Sequence, residues 1–335
     1  MINNETHKID YYKNGNIQCE KYYFNGKLHN KNGPAMIHYY ENGNVQYKKY
    51  YFNNKIHNKN GPAEIYYYKN GNKQHEEYRI KDKLHNESGP AMIDYYESGN
   101  IRCKRYYFNG KLNNKNGPTE IWYYNNGTIN QKFWYNNGKL HREDGPAVIN
   151  YYKNGNIRYK KYYTDGNLHN ENDPAKIYYY ENGNAQCEKY YFNGKLHNEN
   201  RPAAIYYYEN GNKYCEEYYI NGKLHREDGP SVICYYENGN VSFKYYYIND
   251  ELHDENKPTI IKYNRNGSIY DKEYCINGKF VMTDKEVEKY INSKNPIKTE
   301  NINKLRILYN ICKARNLKDK AEEIGDMLLL KTLQK

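Results

Sequence analysis

Long apolar runs are absent from this chain, and the residues that fill ordinary cores are scarce. Its 335 residues are 38% hydrophobic, with 7 Phe and 2 Trp. Composition of this kind would ordinarily point to disorder. No stretch approaches 18 consecutive apolar residues, so no segment reads as a membrane-crossing helix. The opening MINNETHKID has no apolar run of the kind a secretory signal needs. Cysteine is sparse and odd in number, 7 in all, with no CxxC pair. That usage is expected of reduced thiols in a soluble, intracellular protein. Cys187 and Cys215 share a repeat position one repeat apart. A disulfide needs Cα atoms within about 7 Å, less than one repeat step, so free thiols are expected there as well.

Signatures of catalysis are missing too. No phosphate-cradling GxxxxGKS/T occurs, and no Ser or Cys nucleophile recurs beside a base. Like charges never run five in a row, although 51 basic and 40 acidic residues give a net charge of +11. A modest positive field favours acidic partners and suits an ordinary solvated surface equally well.

Tyrosine, by contrast, is abundant at 46 copies, and it is periodic. A Gly-Pro at Gly33 recurs at Gly61, Gly89, Gly117, Gly145 and Gly229, with Asp173, Arg201 and Lys257 taking the Gly place elsewhere. The spacing is 28 residues throughout, which marks a repeat architecture and argues against disorder. One position is always Ile, as at Ile37 and Ile65, and two residues on it is always Tyr, as at Tyr39 and Tyr67. The position between them varies freely, as in Asp10, His38, Tyr66 and Trp122. Constant and free positions at period 2 predict a strand with one packed face and one open face. Asn-Gly follows at Gly43 and Gly71, in a series where every repeat keeps the Gly, the short-range signal of a hairpin whose central residues take positive φ. A second strand is then expected, with aromatics at Tyr50 and Tyr78 and Phe at Phe52 facing the core. Lys48 shares their parity but its position is charged in every repeat, so it is expected beyond the packed area or across a bulge. A second turn, at Asn25-Gly26 and its equivalents, has Asn54, Asp82 and Asp250 where Gly is missing, residues that tolerate the left-handed region. Half-buried tyrosines with wet hydroxyls would supply the apolar area of so thin a structure.

The expected fold is therefore mainly β: an elongated array of antiparallel hairpins over residues 9–280, in about ten units, after a polar lead-in at 1–8. Strands about 4.8 Å apart would advance the array about 10 Å per repeat. Residues 281–335 read as an α-helical C-terminal cap. TDKEVEKYINSK carries capping signals and helical spacing at Val287, Tyr290 and Ile291, up to Pro296. Further amphipathic stretches run over 301–316 and 318–333. Such helices would cover the last open sheet edge.

The pattern YYxNGN…YYxNGKLHxxxGPA, clearest from Asn137 to Ala147 and from Asn221 to Ser231, resembles the MORN family in its variant form. That form is found in repeat proteins of bacteria, phages and large DNA viruses. The resemblance covers roughly 9–280 and implies an extended hairpin sheet used for association with proteins or membrane surfaces. The 28-residue unit is longer than the family's usual one, and its Gly-x-Gly spacing is absent.

A histidine ladder runs through His29, His57, His85, His141, His169, His197, His225 and His253, with Asn113 interrupting it. Equivalent atoms about 10 Å apart cannot share an ion that needs ligands at about 2.0–2.1 Å. The imidazoles are expected to hydrogen-bond the following turn, with stability falling below about pH 6. Tyrosine ladders beside lysines could stack bases, but lysines alternate with acids, which favours cross-strand packing.

Taken together, these features predict a non-enzymatic repeat scaffold that binds another protein, or itself, along an extended β surface. No cofactor, metal or small-molecule substrate is expected. The alternative is a binder of anionic lipid or nucleic acid through a Lys/Tyr-rich face. The repeat positions that carry the fold are Ile37, Tyr39, Gly43, Tyr50, His57, Ile65, Tyr67, Gly71, Tyr78 and His85. Recognition is expected at free positions such as Met36, His38, Tyr66, Trp122 and Lys176.

Overall fold

The computed structural model describes residues 5–254, 257–291, 302–314, and Ala321, Ile324 and Leu328. The chain divides into two compact units, 1–167 and 168–335, built to the same local plan. The protein is mainly β. In the first unit, antiparallel strands follow one another from Glu5–Tyr11 to Ile157–Lys161, each paired with the next long strand along the chain. In the second, they run from Lys176–Tyr179 to Lys279–Thr283. Short hairpins such as Tyr51–Phe52 with Lys55–Ile56 hang between the long ones.

The two turns of a repeat differ, and in the first of them the Asn-Gly expectation fails. At the long hairpin only the glycine has positive φ, with Gly43 at 87° and Gly71 at 90°. The Gly43 N–H donates to the Tyr40 carbonyl (2.9 Å) and the Tyr40 N–H to the Asn44 carbonyl (2.8 Å). This is a three-residue loop closed by a left-handed glycine, and it introduces a register slip between His38 and Tyr39. Asn42 serves instead through its side chain, which accepts from the Asn44 N–H at 3.1 Å. Two successive positive φ values occur only in the short hairpin, as at Asn25 (48°) and Gly26 (72°). Where Gly is replaced there, the carbonyl or carboxyl oxygen of Asn54, Asp82 and Asp250 accepts from the backbone N–H of Leu28, Ile56 and Leu224 in the preceding repeat. That bond offsets part of the left-handed strain.

The small residue two before the Ile is the tightest point of the repeat. Ala35, Ala63 and Ala91 are completely enclosed. Its N–H and C=O join two strands: Ala63 donates to the Glu77 carbonyl and accepts from the Tyr50 N–H. Where a hydroxyl replaces the methyl, Thr119, Ser231 and Thr259 donate it to the carbonyls of Phe133, Tyr245 and Glu273. Most other strand positions are only half-buried, as a single-layer sheet requires.

Among the described residues, the contiguous buried apolar cluster lies at the C-terminal end. Helix α1 (Asp284–Ile291) starts with a capping box in which Thr283 and Glu286 bond each other's backbone N–H. Helix α2 (Ile302–Ala314) adds Leu305, Ile307, Leu308, Ile311 and Cys312 to a cluster with Val287, Ala321 and Ile324. That cluster lies against Tyr274, Ile276, Val281 and Met282 of the last two strands. The side chains of Tyr290 and Ile291, Pro296 and most of 318–333 lie outside the described residues.

The backbone difference between the glycines is open to test. Gly71 has φ +90° with open space around its Cα, whereas Gly61 is not left-handed and an added Cβ would meet only Asn58 Nδ2 at 3.7 Å. Gly71→Ala should cost about 1–2 kcal/mol in chemical denaturation, and Gly61→Ala should stay within about 0.5 kcal/mol of the parent or stabilise it.

Candidate functional site

Strand pairing sorts every repeat position onto one of two faces. On the constant face, invariant isoleucines alternate with charges across the sheet: Glu20 opposite Ile37, Ile37 opposite Lys48, Lys48 opposite Ile65, Ile65 opposite Glu76. Lys48 is therefore neither beyond the packed area nor at the bulge; it sits in mid-sheet between two isoleucines. A charge there must be met locally, and the tyrosine two after the next Ile meets it. Where the charge is Glu, the hydroxyl donates to it: Tyr39 to Glu20 (2.6 Å), Tyr95 to Glu76 (2.6 Å), Tyr207 to Glu188 (3.0 Å) and Tyr235 to Glu216 (2.6 Å). Where it is Lys, the ammonium lies over the ring: Lys48 over Tyr67 (5.9 Å), Lys104 over Tyr123, Lys132 over Tyr151 and Lys244 over Tyr263. Burial, then the adjacent Glu76, pushes the Tyr95 hydroxyl well above its usual pKa, so it remains a donor.

The neighbouring tyrosine forms a second latch. Tyr12, Tyr40, Tyr68, Tyr96 and Tyr124 each donate to the carbonyl of the constant tyrosine one repeat on, at 2.7–3.0 Å. These hydroxyls are not left to water, contrary to what their number suggests. Tyr50 and Tyr78 donate their backbone N–H to Ala63 and Ala91, and accept from the N–H of His57 and His85.

The opposite face carries the variety. Met36 pairs with Lys49 and His38 with Tyr47; the same two rows continue through Glu64 and Tyr66, His75 and Glu77, Asp94, Arg105, Trp122 and Glu120. Met36, His38, Tyr66 and Trp122, together with Lys176 in the second compact unit, all belong to this face. In the first unit it holds a continuous polar chain that no motif announces. Lys49 Nζ contacts Glu64 (3.0 Å), Arg79 bridges Glu64 and Glu77, His75 bridges Glu77 (3.0 Å) and Asp94 (2.6 Å), and Arg105 bridges Asp94 (3.2 Å) and Glu120 (3.1 Å). Trp122 closes the chain by donating its indole N–H to Glu120 at 2.6 Å. Burial opposes charge on His75, but the Asp94 and Glu77 carboxylates outweigh it and raise its pKa to about 9. Asp94 and Glu77 are correspondingly held below the carboxylate range, their bonds to His75 overcoming burial.

Histidines of the ladder stand on the short hairpins. His57, His85, His141, His197 and His253 accept through Nδ1 from the backbone N–H of the next repeat's turn, at 3.1–3.3 Å. An accepting Nδ1 must be unprotonated. Burial, and then Lys59 and Lys81, hold the His57 pKa below its usual value. Phe52 does not face the core as its parity suggests. It is 55% exposed, with its ring centroid 5.0 Å from that of His29 and 5.9 Å from that of His57.

The cysteines need a correction. Cys215 and Cys234 form a disulfide, with Cα atoms 4.1 Å apart. They are direct cross-strand partners between one repeat's second strand and the next repeat's first. Comparison at the period alone, which tests Cys187 against Cys215, cannot find a pair 19 residues apart. Cys19, Cys103, Cys187 and Cys275 are free and buried, Cys312 is buried, and burial pushes the Cys103 thiol up to about 12 and Cys187 to about 11. Thiols so raised are poor nucleophiles.

This geometry defines a β-hairpin repeat array with one structural face and one variable face. The family model described as MORN repeat variant matches the chain at three places, residues 35–56, 203–227 and 231–249. No curated protein matches it. Among solved structures, a chain of "Crystal Structure of TcdB2-TccC3 without hypervariable C-terminal region" is similar at 12% identity and a TM-score of 0.18. The match covers 83% of this chain and 15% of that one. No helix among the described residues is long and apolar enough to cross a membrane.

Two measurements probe these arrangements. Tyr95→Phe deprives Glu76, only 4% exposed, of a charge-assisted bond and should cost about 1.5–3 kcal/mol. Tyr123→Phe keeps the ring under Lys104 and should cost less than about 0.5 kcal/mol; equal losses in denaturant titrations would refute the two-sign role of the tyrosine. The histidines make stability depend on pH in opposite senses. His75, with a folded pKa of about 9 against roughly 6.5 unfolded, stabilises fully below 6.5 and loses that contribution as pH rises through 9. His57, with its pKa lowered, contributes above about 6.5 and loses that as pH falls. In melts from about pH 5 to 9.5, His75→Gln should flatten the alkaline decline without touching the acid limb.

Proposed function

We propose that this protein is a non-enzymatic scaffold that docks another protein on its variable face. One observation carries the reading: the two faces of the same sheet are used differently. Invariant Ile and Tyr positions, and the small residue two before the Ile, spend their contacts on the adjoining repeat, and the rows through His38, Tyr66, Asp94 and Trp122 change from one repeat to the next. A surface whose composition changes along its length can define one partner and one register on it. Half-buried Tyr, Trp and Arg side chains held by neighbours are also the kinds of group that dominate protein interfaces. Such a role agrees with what the MORN resemblance implies.

Binding of anionic surfaces through the Lys/Tyr-rich face has less support at this place. Lys49, Arg79 and Arg105 are already engaged by carboxylates there. Catalysis would need a unique constellation, and the polar chain from Lys49 to Trp122 offers no exposed nucleophile beside a base.

A photo-reactive residue placed at Tyr66 or Trp122, and separately at Ile65 or Ile121, distinguishes the faces in cells that make the protein. Adducts of defined mass are expected from positions 66 and 122 alone, whether with a different protein or with a second copy. Equal labelling from both faces, or none from either, would sink the reading.

A further inference from the structure

The lysines of the first two full short-hairpin loops are not matched as those of the variable face are. Between the loops at 29–34 and 57–60, beside the hairpin tip at 50–55, lies an open cavity of about 940 Å³. That is at the upper end of the roughly 300–1,000 Å³ usual for ligand sites. Lys31, Lys55, Lys59 and Lys81 line it, and no Asp or Glu does. None of the four has a carboxylate partner among the described residues. The sequence makes this place different from its repeats. The loop position of Lys31 and Lys59 becomes Glu87, Glu143, Glu171, Glu199 and Glu227 further along, and Lys115 is the only other lysine there. The cavity of about 450 Å³ one repeat pair on is lined by both Glu87 and Lys115.

Lys81 supplies a second, independent observation. Its turn position is left-handed in every repeat and is otherwise always Asn or Asp: Asn25, Asn53, Asn109, Asn137, Asp165 and their successors. Lys81 adopts φ 50° and is the one residue other than Gly, Asn or Asp with positive φ among those described. A side chain without a short polar group gains no local compensation there, at a cost of about 1–2 kcal/mol. What the turn obtains is an ammonium group aimed at the cavity shared by the two preceding repeats. At the same place the exposed ring of Phe52 stands between the imidazoles of His29 and His57, and the buried Nδ1 of His29 has no partner among the described residues.

We propose that this groove binds single-stranded nucleic acid, with Phe52 stacking a base and the four lysines contacting successive phosphates. An exposed planar ring flanked by ammonium groups in a concave site suits a flexible strand with splayed bases. A lipid headgroup would engage the charges and leave Phe52 without a role, and a bilayer surface cannot enter a concavity. The proposal does not depend on protein docking at the variable face, which lies elsewhere on the repeat.

The test is fluorescence anisotropy of labelled twelve-nucleotide oligo(dT) and oligo(U) with the intact chain, titrated at several salt concentrations. Saturable binding is expected, with log K falling against log salt at a slope of about −3 for four phosphate contacts. Phe52→Ala should weaken binding by about fivefold or more and Phe52→Tyr should restore it. Lys31→Glu with Lys59→Glu should weaken it by more than about tenfold. Lys81→Asn should weaken binding and raise the melting temperature together, because it removes both the charge and the strain. All these side chains are solvent-facing, and unchanged circular dichroism confirms that the variants fold. The proposal is overturned if neither oligonucleotide binds. It is equally overturned if Phe52→Ala and the lysine reversals leave binding unchanged, or if only anionic phospholipid vesicles are bound.

Discussion

A charge held in the middle of a one-layer sheet, between two isoleucines, sets the terms for the rest of the repeat. Half-buried carboxylates and ammoniums are costly unless satisfied. A tyrosine can satisfy either sign, since its hydroxyl donates to Glu20 or Glu76 and its ring face accepts Lys48 or Lys104. That is a physical reason for the tyrosine never to change while its partner alternates between Glu and Lys. Phenylalanine would serve the lysines and fail the glutamates. The abundance of Tyr and the scarcity of Leu thus follow from one local problem.

Much of what satisfies these groups comes from the next repeat. The Tyr39 hydroxyl reaches back to Glu20, the Tyr12 and Tyr40 hydroxyls reach forward to the carbonyls of Tyr39 and Tyr67, and Asn16 and Asn44 amides reach forward to Glu41 and Lys69. The His57 ring accepts from the Lys81 N–H in the same forward sense. A repeat alone would leave these groups unpaired, so the interface between neighbours carries most of its stability, as in other repeat arrays. The final strand has no next repeat. There the polar links give way to an apolar cluster in which Val281 and Met282 meet Val287, Leu305 and Leu308. Covering an end strand with helices also removes an edge open to aggregation.

Strand content, strand polarity, the two turns per repeat and the helical tail are legible in the sequence because each leaves a mark at fixed spacing. The left-handed demand at Asn54, Asp82 and Asp250 is legible for the same reason. What escapes is whatever depends on register between strands. The loop type at Gly43 turns on one φ value that Asn-Gly alone does not specify. Phe52 has the parity of a core residue, but the strand has already ended in a short hairpin whose two sides are both wet. Cys215 meets Cys234, and His75 meets Asp94, through pairings 19 residues apart that connect unlike repeat positions. Only a known register brings them together.

Departures from the repeat say more about recognition than the repeat itself. A residue kept in every copy is explained by the neighbour it holds, as Ile37 and Tyr39 are. A residue that departs needs a local reason, and some departures have one in compensation: Asn54 gains a bond to Leu28, and Thr119 gains one to Phe133. Lys81 has no such compensation in its side chain, and the charge it adds is of the same sign as Lys31, Lys55 and Lys59 across the same cavity. Like charges gathered without counter-charges raise the free energy of the unliganded protein slightly. An anion entering between them removes that repulsion, so the charge gathered at this turn becomes favourable in a bound state. A selectively strained turn in an otherwise relaxed array is therefore where a ligand's contribution would be greatest.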